Sequence, residues 1–353
     1  MQRSGVRPRY LVELLSSPLF RLQPAVRRLA AGFSNPLACQ VLPVTRRPIL
    51  IDLMMLLAAV IWGSAFVAQR LSADDIGPFL YTGLRFMLGV LVVLLFALAF
   101  PSQRRAIRAI PSNLPLLRAG GTLGLTTVIA ISAQQIGLQY TKVANAGFIT
   151  SLYVIIVPLM GLFARHKTAT GTWLGALLAL VGMYFLSVDE HFTILTGDWY
   201  QLVCALVISV QVLLVSRFAR QHDPLALCVV QFAVCGAISL ALALCLEPIG
   251  LASIHAAMPV ILYGGGLSVG VAYTIQVVAQ KRASPSHAAV IFSMEGLFAA
   301  LSGWLVLGET LSLRAIIGCA LMLGGLLICQ LLPGRGHEPH VPASGGGGVA
   351  ADI

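Results

Sequence analysis

Glu295 is the residue with the most chemical potential in this sequence. It is the tenth residue of an apolar run that starts at Ser286. An ionised carboxylate near the middle of a hydrocarbon layer costs several kcal/mol unless it is paired, hydrated or protonated. Two readings stay open for it: a group that binds a proton or a cationic part of a substrate, or a neutral structural acid at a helix contact. Arg85 is the other charge well inside an apolar run, eight residues into its own. Its stem is long enough to snorkel to an interface. It reads as a structural charge, and an ion pair with Glu295 would satisfy both.

Polar and amphipathic side chains recur in similar runs: Trp62, Ser64 and Gln69; Gln134 and Gln135; Asn145 and Tyr153; Gln211; Tyr273 and Gln276; Ser293. In lipid such groups turn inward to a partner or to water, so they are predicted to line the interior of a helix bundle. There they either join helices by hydrogen bonds or touch a substrate. No metal site is expected, because no two histidines share a helix face with an acid between them. The seven cysteines lack ligand spacing and read as small buried hydrophobes. The glycines at 264–266 and 270 have neither the preceding strand nor the Lys-Ser/Thr pair of a phosphate loop, so no cofactor is called and nothing here hydrolyses ATP.

These residues need elements that hold them inside a membrane. Of 353 residues 58% are hydrophobic and only 10% charged, against about 25% charged in a soluble domain. A water-soluble enzyme is excluded by that balance. From about residue 49 to 332 the chain is a train of ten apolar runs, at 49–71, 77–100, 115–138, 143–164, 170–188, 198–219, 224–246, 258–280, 286–307 and 311–332. An α-helix needs about 20 apolar residues to cross the hydrocarbon layer. The runs are continuously apolar, which excludes the alternation of a β-barrel. Residues 1–47 read as an Arg-rich disordered extension, and 333–353 as a Gly- and Pro-rich disordered tail.

Charge placement predicts orientation. With the amino end cytoplasmic, nineteen Lys and Arg fall on inner segments and three (Arg70, Lys142, Arg314) on outer ones, as the positive-inside rule requires. This accounts for the net charge of +10 without nucleic acid. Both termini are then cytoplasmic and the expected location is the plasma membrane, a bacterial inner membrane.

The chain also repeats itself. A slide of 143 positions lays Thr141–Leu186 on Ser284–Cys329, matching Gly175 with Gly318 and Gly182 with Gly325. Each unit has five runs, an odd number, so the second crosses in the opposite sense. The predicted fold is an all-α integral membrane protein of ten transmembrane helices in two inverted five-helix repeats, 49–188 and 198–332.

Several stretches carry a family resemblance. They are Trp62-Gly63-Ser64-Ala65-Phe66, Pro78 with Leu84-Arg85-Phe86, the run Gln139-Tyr140-Thr141-Lys142-Val143-Ala144-Asn145-Ala146, and Leu307-Gly308-Glu309-Thr310-Leu311 followed by Gly318, Gly324 and Gly325. With these the chain resembles the EamA-type permeases of the drug/metabolite transporter superfamily. The resemblance implies a secondary transporter, an exporter or exchanger of small metabolites, with a central cavity between the repeats. Two features depart from the family pattern. Arg165-His166-Lys167 stands where the second repeat has Gly308-Glu309-Thr310, and Glu295 is followed by Gly296 where the family commonly has Pro, which removes a kink.

The expected function is alternating-access transport of a small metabolite or drug, driven by an ion or substrate gradient, with a proton as candidate coupling ion. The partners are the lipid bilayer and the substrate, in a monomer or homodimer. The competing classes are an integral-membrane enzyme on lipid-like substrates and a non-transporting subunit of the same fold.

Overall fold

The computed structural model describes residues 49–73, 75–141, 143–163, 168–187, 195–308 and 312–332. The amino-terminal extension, the carboxyl-terminal tail and the Arg165–Lys167 and Glu309–Leu311 turns singled out above lie outside them.

Helix starts follow local chemistry. α1 (Ile49–Ser72) is followed by α2 (Pro78–Ala99), with proline in its first turn. After α3 (Pro101–Arg108) comes α4 (Leu114–Gly137), where the Asn113 side chain accepts from Leu116 N–H. Next are α5 (Val143–Thr150), α6 (Tyr153–Phe163), α7 (Thr170–Ser187) and α8 (Thr196–Gln221). α9 (Pro224–Leu246) starts on Asp223, whose carboxylate accepts from Leu225 and Ala226 N–H. Each such acceptor satisfies a backbone donor that the helix itself leaves unpaired.

The short α10 (Leu251–Ala256) leads into α11 (Met258–Tyr263), a π-helical segment Gly264–Tyr273 and α12 (Thr274–Gln280). α13 (Pro285–Phe292) is capped by Ser284. α14 runs from Glu295 to Leu307 and ends on Gly308. That glycine has a φ of 66°, a left-handed turn that a side chain resists. α15 (Leu313–Leu331) closes the bundle.

Among the described residues, seven helical stretches are long and apolar enough to cross a membrane, including 258–280 and 285–306 taken whole. The other three expected runs form shorter apolar helices, Ala146–Leu162, Thr170–Phe185 and Ile316–Cys329. Leucines such as Leu53, Leu95, Leu177, Leu244 and Leu305 are exposed on the outside of the bundle, the pattern of a surface solvated by lipid. The protein is an all-α, multi-pass membrane protein.

The principal helix contacts are α7 with α15, α2 with α9, α4 with α8 and α9, α1 with α14, and the π-helical segment with α2 and α1. Small residues set the closest of these. A Cβ on Gly175 of α7 would lie 2.6 Å from Gly325 O of α15, and one on Gly182 would lie 2.6 Å from Gly318 O, so only glycine lets the two backbones approach this far. The apolar core forms two main clusters. One centres on α1, α6, α7, α13, α14 and α15, the other on α2, α4, α8 and α9 with the π segment.

Candidate functional site

Between the two core clusters lies a cavity that gathers polar side chains among apolar and aromatic ones. It is lined by Gln69, Arg85, Gln134, Tyr153, Gln211, Ser268, Tyr273, Gln276 and Glu295, with Trp62, Phe66, Ile131, Ile208, Val212 and Phe292. The space open to the centres of water molecules is about 40 Å³, room for roughly three waters. Eight of the residues expected to bind or couple meet here: Glu295, Trp62, Gln69, Gln134, Tyr153, Gln211, Tyr273 and Gln276.

Two of them are placed by interruptions in their helices. α13 stops at Phe292 and α14 restarts at Glu295; α5 stops at Thr150 and α6 restarts at Tyr153. Glu295 and Tyr153 are thus each the first residue after a break, and both line the cavity. The Gly in place of Pro after Glu295 was expected to remove a kink, yet the helix is interrupted all the same. Gly296 sits where the broken stretches cross, its Cβ direction 3.4 Å from Ser151 Oγ and 3.7 Å from Gly147 O, so a small residue fits that crossing. Gly63 on α1 is closer still: a Cβ there would lie 2.7 Å from Glu295 O.

The aromatic wall is held by Trp62. Its ring packs edge-on against Tyr273 at 4.9 Å and tilted against Phe292 at 5.3 Å. Its Nε1–H donates to Ser268 O at 3.3 Å. Ser268 belongs to the π-helical segment, whose wider turns leave carbonyls aimed off the helix axis; such segments are frequent at functional sites.

The amides are partly committed to structure. Gln69 Oε1 accepts from Arg85 Nη2 at 3.4 Å, and Gln211 Nε2 donates to Thr127 Oγ1 at 2.9 Å. Gln201 Nε2 donates to Gln134 O at 3.0 Å, while Thr150 donates to Gln201 Oε1. What stays open is more informative. Arg85 Nε, Gln276 Oε1, Tyr153 Oη and Glu295 Oε1 are buried without a hydrogen-bond partner. Leaving such an atom unsatisfied costs about 1–3 kcal/mol, and more when it is charged.

Arg85, expected as a structural charge, does not snorkel to an interface. It is 3% exposed and lines the cavity, its guanidinium over the Tyr81 ring at 4.8 Å and near Phe86 at 5.6 Å. Tight burial by these rings keeps it from the interface. Nor does it pair with Glu295, since Arg85 Nε and Glu295 Oε1 both lack partners.

Three expected site residues lie elsewhere. Ser64 Oγ bonds the Tyr263 hydroxyl at 2.5 Å because it faces the next helix rather than the cavity. Gln135 Nε2 donates to Gln69 O and Ser72 Oγ, one residue round the helix from Gln134. Ser293 donates back to Val290 O, satisfying the break in its own helix. Asn145 lies on α5, but its side chain is outside the described residues. The cysteines are not uniformly buried: Cys245 is exposed, at the end of α9. Among the described residues no three His, Cys, Asp or Glu side chains are placed to hold a metal ion. Sequence reasoning missed Ser268, whose backbone rather than side chain is engaged, and the Gln201–Thr150 link; polarity within an apolar run was the available signal for both.

Comparison with known proteins decides the family. The model of the EamA-like transporter family matches the chain twice, over residues 49–188 and 195–330. The chain belongs to the EamA-like transporter family. Among its relatives in that family, an uncharacterized transporter of Archaeoglobus fulgidus is 30% identical over 292 residues, covering 79% of this chain and 85% of the relative. The threonine/homoserine exporter RhtA of Escherichia coli K12 is 27% identical over 279 residues, covering 76% and 87%. A solved crystal structure shares the fold with a TM-score of 0.67 at 22% identity, covering 80% of this chain and 97% of the other. This EamA-like protein is thus a membrane transporter by family, and the cavity is where its architecture gathers polar groups.

Proposed function

We propose that this protein is a secondary transporter of small zwitterionic metabolites, amino acids first among them, working by alternating access. The observation that carries the reading is the pair Arg85 and Glu295. Opposite charges line one buried cavity and each keeps an unpartnered polar atom. A zwitterion answers both at once, its carboxylate to the guanidinium and its ammonium to the carboxylate, as charge-assisted hydrogen bonds. Gln276 and Tyr153 offer further contacts, and the Trp62 wall offers an apolar face. The export of threonine and homoserine by a relative in the family supports the same class.

The space open to water centres, about 40 Å³, holds roughly three waters, fewer atoms than an amino acid has, so cargo enters only when helices move. The matched helix contacts support a two-fold arrangement of ten crossings in two five-helix repeats: α1 with α14 answers α8 with α6, and α2 with the π segment answers α9 with α4. In such repeats one half rocks against the other around a fixed central site. The charge count supports cytoplasmic termini in a plasma membrane.

The test is counterflow. Purified protein in proteoliposomes preloaded with unlabelled threonine should accumulate labelled threonine or homoserine. It should not accumulate analogues lacking the amine or the carboxylate. Equal uptake of the deaminated and decarboxylated analogues, or no counterflow across an amino-acid panel, overturns the zwitterion reading.

A further inference from the structure

A second buried polar cluster lies away from the cavity, at the end of the bundle where α1 begins. His287, in the first turn of α13, is 1% exposed. Its Nε2 is 2.9 Å from Asp52 Oδ1 on α1. Its Nδ1 is 3.3 Å from Cys329 Sγ on α15, and Cys329 Sγ is 3.8 Å from Thr172 Oγ1 on α7. One imidazole therefore joins helices from the beginning and the end of the chain. The Asp52 side chain is 14% exposed, the most exposed of these four side chains.

The partners on the two ring nitrogens let the imidazole hold one proton or two. With one, Nε2–H donates to Asp52 and Nδ1 accepts the Cys329 S–H. With two, both ring N–H groups donate, Nδ1–H to Cys329 Sγ, and the S–H turns to Thr172. Neither state leaves these ring contacts empty, and histidine is the side chain whose ordinary titration falls between pH 5 and 8.

We infer that His287, with Asp52 and Cys329, is a proton-binding site, and that the proton is the ion coupled to transport; the second half of this inference rests on the transport reading above. With one proton on the ring the Asp52 contact is already a charge-assisted hydrogen bond to a carboxylate, and protonation makes it an ion pair as well. Proton binding thus favours the arrangement in which α1 and α13 touch, and release favours their separation. Among the described residues, the titratable groups in contact with the ring are Asp52 and Cys329. Arg220 of α8 reaches Ala283 O in the preceding turn at 3.5 Å. Tyr153 of α6 is in the cavity, and Arg314 of α15 stacks on Tyr184 and Phe185 of α7.

Solid-state NMR of the full-length protein labelled with [15N]histidine, in liposomes with no substrate, reads the site directly. The difference between wild type and His287→Gln isolates the ring. Followed from pH 5 to 8, its signal should convert between imidazole and imidazolium, and Asp52→Asn should displace that conversion. Cys329→Ala assigns the same signal independently, since it alters the Nδ1 resonance and spares the Asp52 contact. A single protonation state across the window, or an unmoved midpoint in Asp52→Asn, overturns the proton site. In proteoliposomes, a gradient of one pH unit should drive about tenfold accumulation of threonine for one coupled proton. His287→Gln should keep exchange at equal pH and lose the accumulation; retained accumulation refutes the coupling. Wild-type protein without any exchange refutes coupling and the transport reading together, while the NMR titration still decides the proton site.

Discussion

Replacing Glu295 by Gln separates the role of the charge from that of the shape. Glutamine fills the same volume and keeps a carbonyl acceptor, so the break before α14 and the contact with Gly63 are undisturbed. In the substrate-free protein the carboxyl is 6% exposed with Oε1 unpartnered. Replacing a buried group that can carry charge by a neutral amide removes the cost of holding that charge away from water and so should cost no stability. For a chain of this size each kcal/mol shifts the melting temperature by roughly 2 °C, so Glu295→Gln should melt at or above the wild-type temperature. Binding moves the other way. A hydrogen bond to a charged group contributes about 1.5–3 kcal/mol, and the retained carbonyl keeps part of it, leaving a loss of about 1.4–2 kcal/mol, or roughly ten- to thirtyfold in affinity. Threonine counterflow over a concentration series measures the half-saturation, and intrinsic-fluorescence melting of the same preparation measures stability. Unchanged half-saturation, pH response and melting point in the variant would refute the argument and make Glu295 a structural acid.

Arg85→Gln is the mirror case: it should weaken amino-acid uptake at least tenfold, and the ability of decarboxylated amines to compete should be preserved, as competition counterflow will reveal. Gly175→Ala and Gly325→Ala should each destabilise the bundle by about 1–3 kcal/mol through overpacking, whereas Gly324→Ala, whose Cβ would meet only Leu178 Cδ2 at 3.5 Å, should melt like wild type. Glu247 accepts from Phe79 N–H at 2.7 Å and Leu80 N–H at 2.8 Å at the start of α2; Glu247→Gln should cost about 1 kcal/mol by the same thermal assay. For orientation, a single cysteine at Leu251 should react with an impermeant thiol reagent added outside intact cells, and one at Arg220 should react only after permeabilisation.

The helices were legible because an apolar run of membrane length admits few other structures, and because Asn113, Asp223 and Ser284 announce where helices begin. The candidate site was legible wherever a polar group sat alone in such a run: Glu295, Gln211 and Gln276 had to face inward, and they do. Periodicity failed where neighbours compete. Gln134 and Gln135 are adjacent and both buried, and helical geometry permits only one to reach the cavity. The breaks before Tyr153 and Glu295 carry no proline signal at the break itself, and the π-helical stretch looks in sequence like any glycine-rich helix. The link between Asp52, His287 and Cys329 joins residues too far apart in the chain for spacing to show.

The glycine seam between α7 and α15 matches itself. In the sequence, Gly175 corresponds to Gly318 and Gly182 to Gly325; in space, Gly175 meets Gly325 and Gly182 meets Gly318. Each position touches the counterpart of the other, which is how a surface meets itself across a half-turn. A patch of that kind is complete only opposite a duplicate of its own sequence. The covalent link between the two stretches supplies each with its counterpart at high effective concentration and in fixed proportion. The seam consequently ties its own residues together sterically: a bulkier side chain on one side must be answered by space on the other, twice over.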